Sequence, residues 1–453
     1  MINANRWLLS FAVLLELVAL CLSSKLLGAI AGAGFIFCFL LAYSQIQSYS
    51  RIILLVSLTV MAWFGFAGKL DLERTIKALA DAAFYATFLG SLGVMQCLVK
   101  RFEVLRRIHD ILLGGPTIWL YPKYAIVSCG IASVLSFGVM NLLCGSLPET
   151  LKERNITGPS RILWLRSILL STLRGFSLVP LVAPTSVAVA IITRELPQLS
   201  WYMLLPYGLV ASVILIIVGW ILEQHRFSQI SSDRVAMQQL PEGSLKLLGL
   251  ILVVFSIMTN IVVFTDFKVS TAAMFAVPSV TLMYMLWQEK SIWAVLQEST
   301  NQISKMNNEM TVFAASAIIG VVLSNVIPSN ILSGLMTSHG GMLILAVCGL
   351  LILPVLSAIG IAPITVLSVI AGLLPQLISE GMDSLLISTA LVIGFSLAMM
   401  LSPYGPSVML LSRFGKLSPW VIAFRWNGVF VLIAIPALLL LITVIFFLLP
   451  TAN

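Results

Sequence analysis

The sequence predicts an all-α polytopic membrane protein, with about eleven transmembrane helices and two re-entrant hairpins set in two inverted repeats. Three observations predict it. Of 453 residues, 59% are hydrophobic and 10% charged, with a mean hydropathy of +1.05; a soluble protein carries about 25% charged residues. The apolar residues come in runs of 17 to 30 between short polar stretches, and about 20 apolar residues cross a bilayer core. Finally, a 27-residue stretch recurs in altered form 219 positions further on.

The first span covers residues 7–23. Its short polar start resembles a signal peptide. However, the run contains Glu16, lacks a small-x-small cleavage site and is followed by another apolar run from Leu26, so it reads as a retained helix. Spans follow at 26–43, 52–68, 82–98, 176–195 and 201–222. Residues 223–245 are the longest polar segment and read as a cytoplasmic linker. The second half holds spans at 246–265, 268–287, 311–328, 385–411 and 420–449. Segments 69–81, 99–120, 161–174 and 288–310 are mixed in polarity and read as interfacial amphipathic helices.

Two apolar stretches read as hairpins. Lys100, Arg101, Arg106 and Arg107 precede residues 122–147, and Lys152, Arg154, Arg161, Arg166 and Arg174 follow them. Positive loops face the cytoplasm, so the intervening chain crosses an even number of times. Its 26 residues are too few for two full crossings. A re-entrant hairpin resolves this, with Ser136, Gly138 and Asn141 at the turn. Non-helical backbone at membrane depth requires protein or a water-filled cavity around it. Residues 340–375 have the same form around Ser357 and Gly360, and open to the other side. This topology places the N-terminus in the cytoplasm and the C-terminus outside. Only six of the 26 Lys and Arg residues then lie outside: Lys25, Lys69, Arg74, Lys77, Arg194 and Lys268.

The recurrence joins residues 175–201 to 394–420. Eight of 27 positions are identical without a gap, among them Gly175/Gly394, Ser177/Ser396, Pro184/Pro403 and Arg194/Arg413; apolar composition alone would give roughly two or three. Each half then reads as three spans, a hairpin, a proline-broken span and a last span. Residues 25–222 form the first repeat and 246–453 the second, with 1–24 as an extra helix. The odd number of crossings between them inverts one against the other. Proline cannot donate the hydrogen bond that an unbroken helix requires. A break at Pro184 or Pro403 therefore exposes backbone and creates half-helix ends. N-terminal ends suit anions, and freed carbonyls suit Na⁺. Thr185, Ser186, Ser402, Tyr404 and Gly405 flank the breaks and are candidate ligands.

This arrangement, with the motifs VAPTSVAVA (182–190) and LSPYGPSVM (401–409), resembles the ion-transporter superfamily. That group comprises the large membrane subunits of TRAP transporters, divalent-anion sodium symporters and C4-dicarboxylate carriers. The resemblance implies hairpin tips and helix breaks lining one site, a homodimer, and an elevator-like movement against a fixed scaffold. The Ser-Asn-Thr tips of the sodium–dicarboxylate symporters are absent: here the tips read SFGVMN and SAIGIAP.

The expected function is secondary transport of a small, dicarboxylate-like organic or inorganic anion across a bacterial inner membrane, coupled to Na⁺ or H⁺. With no Asp or Glu at either break, Na⁺ is favoured. Glu16 is the one carboxylate deep in an apolar run, in a packing or a proton-coupling role; Arg174, Arg194 and Arg413 read as topology anchors. The rival readings are a TRAP-like importer subunit, a cation/proton antiporter, and a membrane enzyme acting on lipid-linked substrates. The last needs acids, bases or metal ligands near the headgroups, and no such cluster is visible. No cofactor, metal or nucleic-acid site is expected. The net charge of +8 lies at junctions between spans, and the six cysteines and three histidines show no ligand spacing. No GxxxxGK[ST] loop is present.

Overall fold

The computed structural model describes residues 2–98, 101, 112, 117–136, 138–145, 147–153, 157–230, 244–324, 339–379 and 384–448. Every regular element among them is helical. The chain begins with α1 (Ile2–Cys21), α2 (Lys25–Leu41), α3 (Ser48–Phe66) and α4 (Leu72–Val94). Two of these starts are capped by side chains: Ser24 Oγ accepts from the Leu27 amide and Asp71 Oδ1 from the Arg74 amide, which satisfies amides the first turn cannot. Next come α5 (Leu120–Leu135), α6 (Gly138–Gly145) and α7 (Leu147–Glu153). The first broken element is α8 (Gly158–Ser177), α9 (Val179–Val182) and α10 (Val187–Glu195), and α11 (Trp201–Ile230) closes the first half.

The second half holds α12 (Ser244–Phe264), α13 (Val269–Glu289), α14 (Ile292–Lys305) and α15 (Asn307–Ser324). Then come α16 (His339–Ala358) and α17 (Pro363–Ser379), the second broken element α18 (Ser384–Leu401) and α19 (Pro406–Gly415), and α20 (Gly428–Leu448) after a π-helical turn at Val421–Trp426. Nine helices among the described residues are long and apolar enough to cross a membrane.

Several expectations need correction. Residues 72–81 are not a separate interfacial helix but the first turns of α4, and they carry Asp81 into the protein, 3% exposed. Residues 161–174 likewise belong to α8, with Ile168 through Arg174 buried. In each segment the last charge, Asp81 or Arg174, is buried and paired inside the protein, while most of the others stay exposed. The linker starts late, since α11 continues to Ile230; residues 231–243 lie outside the described set. The second hairpin is the longer of the two. Its arms have 20 and 17 residues, about 30 and 25 Å at 1.5 Å per residue, against 16 and 8 residues in α5 and α6. Most of 99–120 falls outside the described residues.

The self-match in the sequence has counterparts in the packing. Gly175 and Gly394 each let a broken helix meet the first arm of the neighbouring hairpin. A Cβ at Gly175 would lie 2.4 Å from the Ala125 carbonyl of α5, and one at Gly394 would lie 2.5 Å from the Leu350 carbonyl of α16. Beyond the breaks the packing crosses over: α10 lies on α17, and α19 lies on α6. Ser396 Oγ donates to the Ser177 carbonyl at 2.5 Å, joining two residues equivalent in the self-match.

A buried ion pair ties α8, α11 and α20 together. Arg174, 3% exposed, reaches Glu223 of α11 at 3.3 Å, the Asn427 side chain at 3.1 Å and the Trp426 carbonyl at 3.2 Å, with its guanidinium 4.2 Å from the Phe430 ring. Arg174 is therefore an internal strut rather than a topology anchor, and Glu223 belongs to a helix rather than to the linker.

Two outcomes follow for thermal unfolding of the purified protein. Gly175→Ala and Gly394→Ala should each cost about 1–3 kcal/mol by overpacking. The control Gly65→Ala, with nothing within 4 Å, should not destabilise. Glu223→Leu should cost about 3–5 kcal/mol, because it leaves Arg174 buried without its counter-charge.

Candidate functional site

Both broken elements stop in the same way. In the first, α9 ends at Val182 and α10 starts at Val187; in the second, α18 ends at Leu401 and α19 starts at Pro406. The Ala183 amide donates to Val179 (2.9 Å), Ser186 to Ala183 (3.2 Å) and Ala190 to Ser186 (2.9 Å). At the equivalent positions, Ser402 donates to Ala398 (3.0 Å), Gly405 to Ser402 (3.1 Å) and Met409 to Gly405 (3.0 Å). Each break is thus a four-residue turn with proline at its second position, where the fixed φ of proline is favourable. Pro403 has no amide to offer the Met399 carbonyl, and Ser407 Oγ takes its place at 3.0 Å. The prolines therefore mark full interruptions of the helix rather than kinks.

Each break sits against its own hairpin. Thr185 Oγ1 donates to the Ser133 carbonyl, one turn before the first tip. That tip turns at Ser136, with φ 49° and ψ −128°, a conformation costly for any residue with a Cβ. Gly138 follows, where a Cβ would press on Gln96 at 3.0 Å. Gln96 in turn accepts from Gln302 of α14 at 2.9 Å. Asn141 lies in α6, just past the tip. At the second tip Gly360 has φ 110°, open to glycine alone, and a Cβ there would lie 3.1 Å from the Tyr404 ring. Tyr404 stacks on Tyr49 of α3, ring centres 5.4 Å apart, and meets Trp420 edge-on.

The candidate residues thus form two clusters, one of Ser136, Gly138, Thr185 and Ser186 and one of Ser357, Gly360, Ser402, Tyr404 and Gly405. They differ in one respect. Thr185 is satisfied by the Ser133 carbonyl, whereas Ser357 Oγ and Ser402 Oγ are fully buried without a hydrogen-bond partner. An orphaned buried hydroxyl costs about 1–3 kcal/mol, so these two oxygens are the better candidates for ligand contact.

Beside the second break lies a small cavity of about 40 Å³, lined by Tyr404, Tyr49, Asn308, Glu309, Met409 and Arg413 among others. It has room for about three waters at roughly 10–15 Å³ each. Asn308 Oδ1 accepts from the Gln47 amide at 2.6 Å, which fixes the wall. Glu309 was missed because residues 288–310 read as interfacial; its neighbours in sequence, Asn307 and Asn308, gave no sign that α15 starts inside the protein.

The absence of carboxylates at the breaks must be corrected. Glu309 is half-buried next to the second break, with its Oε2 buried and lacking a partner. At the far end of α10, Arg194 binds Asp81 at 2.6 Å and covers the Phe84 ring at 4.1 Å. Arg194 and Arg413, equivalent in the self-match, each close the second half of a broken helix beside a carboxylate from α4 or α15. Neither is only a topology anchor.

The fold has a solved counterpart. The chain is similar in structure to the YdaH transporter of Alcanivorax borkumensis, with a TM-score of 0.52 and 12% sequence identity over 88% of this chain and 98% of that one. At this identity the likeness is one of fold: a polytopic, all-helical membrane architecture. No family model and no curated protein matches the sequence. The superfamily named from the sequence is therefore supported only as far as a membrane-transporter fold.

The asymmetry between the breaks predicts a contrast in unfolding without ligand. Ser402→Ala should leave the melting temperature unchanged or raise it, since no bond is lost. Thr185→Ala should cost about 1–3 kcal/mol by orphaning the Ser133 carbonyl.

Proposed function

We propose that this protein is a secondary active transporter for a small organic or inorganic anion of dicarboxylate-like character, coupled to Na⁺ or H⁺. The observation that carries the reading is the pair of matching helix breaks, each docked on a hairpin tip. An interrupted helix exposes amides at the start of α10 and α19 and carbonyls at the ends of α9 and α18. Amides with a partial positive charge favour an anion, and carbonyls favour a small cation. Paired breaks are how secondary transporters place both ligands in one bundle. The fold shared with a solved transporter supports the reading.

The second break is the better anchor for substrate, because Ser357 and Ser402 hold free hydroxyls there and Tyr404 borders the cavity. Na⁺ is no longer favoured over H⁺ by a lack of carboxylates, given Glu309, Glu16 and Asp81. The distribution of Lys and Arg supports an N-terminus in the cytoplasm and a C-terminus outside, in a bacterial inner membrane. A homodimer with mobile hairpins and broken helices completes the proposal.

The test is ligand-induced thermal stabilisation of the purified protein, screening dicarboxylates, tricarboxylates, sulfonates and oxyanions with and without Na⁺. A binder present at 100 times its Kd should stabilise by about 2.7 kcal/mol. That gain should fall sharply in Ser402→Ala and Tyr404→Phe. No stabilisation by any anion, at any Na⁺ concentration or pH, would sink the anion reading.

A further inference from the structure

Buried charge in the described residues is mostly matched. Arg174 has Glu223, Arg194 has Asp81, and Lys77 holds Glu195 at 2.8 Å. Glu16 forms no such pair. Its side chain on α1 is 2% exposed, and Oε2 has no hydrogen-bond partner. Gly28 of α2 leaves the space the carboxylate occupies, since a Cβ there would lie 3.1 Å from Oε2.

The Glu16 carboxylate lines a cavity of about 530 Å³, and Asp81 and Arg194 line the same cavity. Asp81 Oδ2 is also buried without a partner, its Oδ1 being held by Arg194. The remaining charged groups on the wall come from every neighbouring element: Lys77 from α4, Glu195 from α10, Lys25 from α2, and Asp266 and Lys268 from the α12–α13 connection. Lys77 is engaged by Glu195, and Lys268 donates to the Pro197 carbonyl. The cavity thus offers one unmatched buried carboxylate next to a carboxylate–guanidinium pair.

A buried carboxylate without a counter-charge takes up a cation or becomes neutral. Four cationic side chains, Lys25, Lys77, Arg194 and Lys268, share this cavity and repel a metal ion. A proton bound to a carboxylate leaves a neutral acid, which tolerates them. We propose that Glu16, with Asp81 and Arg194 beside it, is a reversible proton-binding site. When Glu16 holds the proton, Arg194 serves Asp81 alone. When Glu16 loses it, the guanidinium faces two carboxylates. Arg194 occupies the last turn of α10, the second half of the first broken element, so proton occupancy is felt where that element is anchored. The assignment deepens the transporter reading and rests on it for the use made of the proton; the binding itself does not depend on it.

The experiment is infrared difference spectroscopy of the purified full-length protein during a pH titration, following the carbonyl stretch of protonated carboxyl groups. The wild type should show a titrating carboxyl band that disappears in Glu16→Gln. In Asp81→Asn the band should remain with its midpoint moved to lower pH, because the like charge is gone and Arg194 is released to Glu16. An unchanged spectrum in Glu16→Gln overturns the proposal. So does a wild-type band that responds to Na⁺ at constant pH. Should Glu16→Gln fail to fold, Asp81→Asn carries the test, and an unmoved midpoint overturns the site. No transported solute is needed, so a failed anion screen leaves this result standing. Equally, a missing band defeats the site even where anion binding is found.

Discussion

A helix that stops inside an apolar bundle leaves amides and carbonyls that must find partners there, since the bilayer supplies none. This chain meets that constraint twice with one solution. A proline turn closes on itself, Ser407 supplies the bond to Met399 that Pro403 cannot, and Thr185 ties the first turn to Ser133 of its hairpin. The hairpins are the surfaces on which the turns rest, and the glycines at 175 and 394 bring those surfaces within backbone contact. Ser177 and Ser396 then join the two units.

Charge follows the same plan at a larger radius. Arg194 ends the second half of one broken element beside Asp81, and Arg413 ends the other beside Glu309. The two ends are not alike: Arg194 binds Asp81 directly at 2.6 Å, while Arg413 shares a small cavity with Glu309, whose Oε2 is unpartnered. The hydroxyls show the same imbalance, satisfied at Thr185 and orphaned at Ser402.

The helical class, the hairpin tips and both breaks were legible in the sequence, because each rests on local chemistry: apolar run length, a small or glycine residue at a turn, a proline within an apolar run. The internal match at a fixed offset was legible for the same reason. What escaped was polarity with a distant partner. Asp81 read as part of a surface helix because its partner Arg194 lies 113 residues away. Arg174 read as a loop anchor because Glu223, Asn427 and Phe430 come from two other helices. A charge in a mixed segment looks the same whether it meets water or a buried counter-charge, and only the packing separates the two cases.

The 30 residues of α11 measure about 45 Å at 1.5 Å per residue, half as long again as the roughly 30 Å hydrocarbon layer. Complete immersion would demand a tilt of about 48°, steeper than the 0–40° of membrane helices. The helix must therefore stand proud of the bilayer like a mooring post. Measured from Trp201, Glu223 lies about 33 Å along it, level with the far water boundary. The charged knot around Arg174 is then moored at the shoreline instead of submerged, where hydration of its rim makes a cluster of ions tolerable.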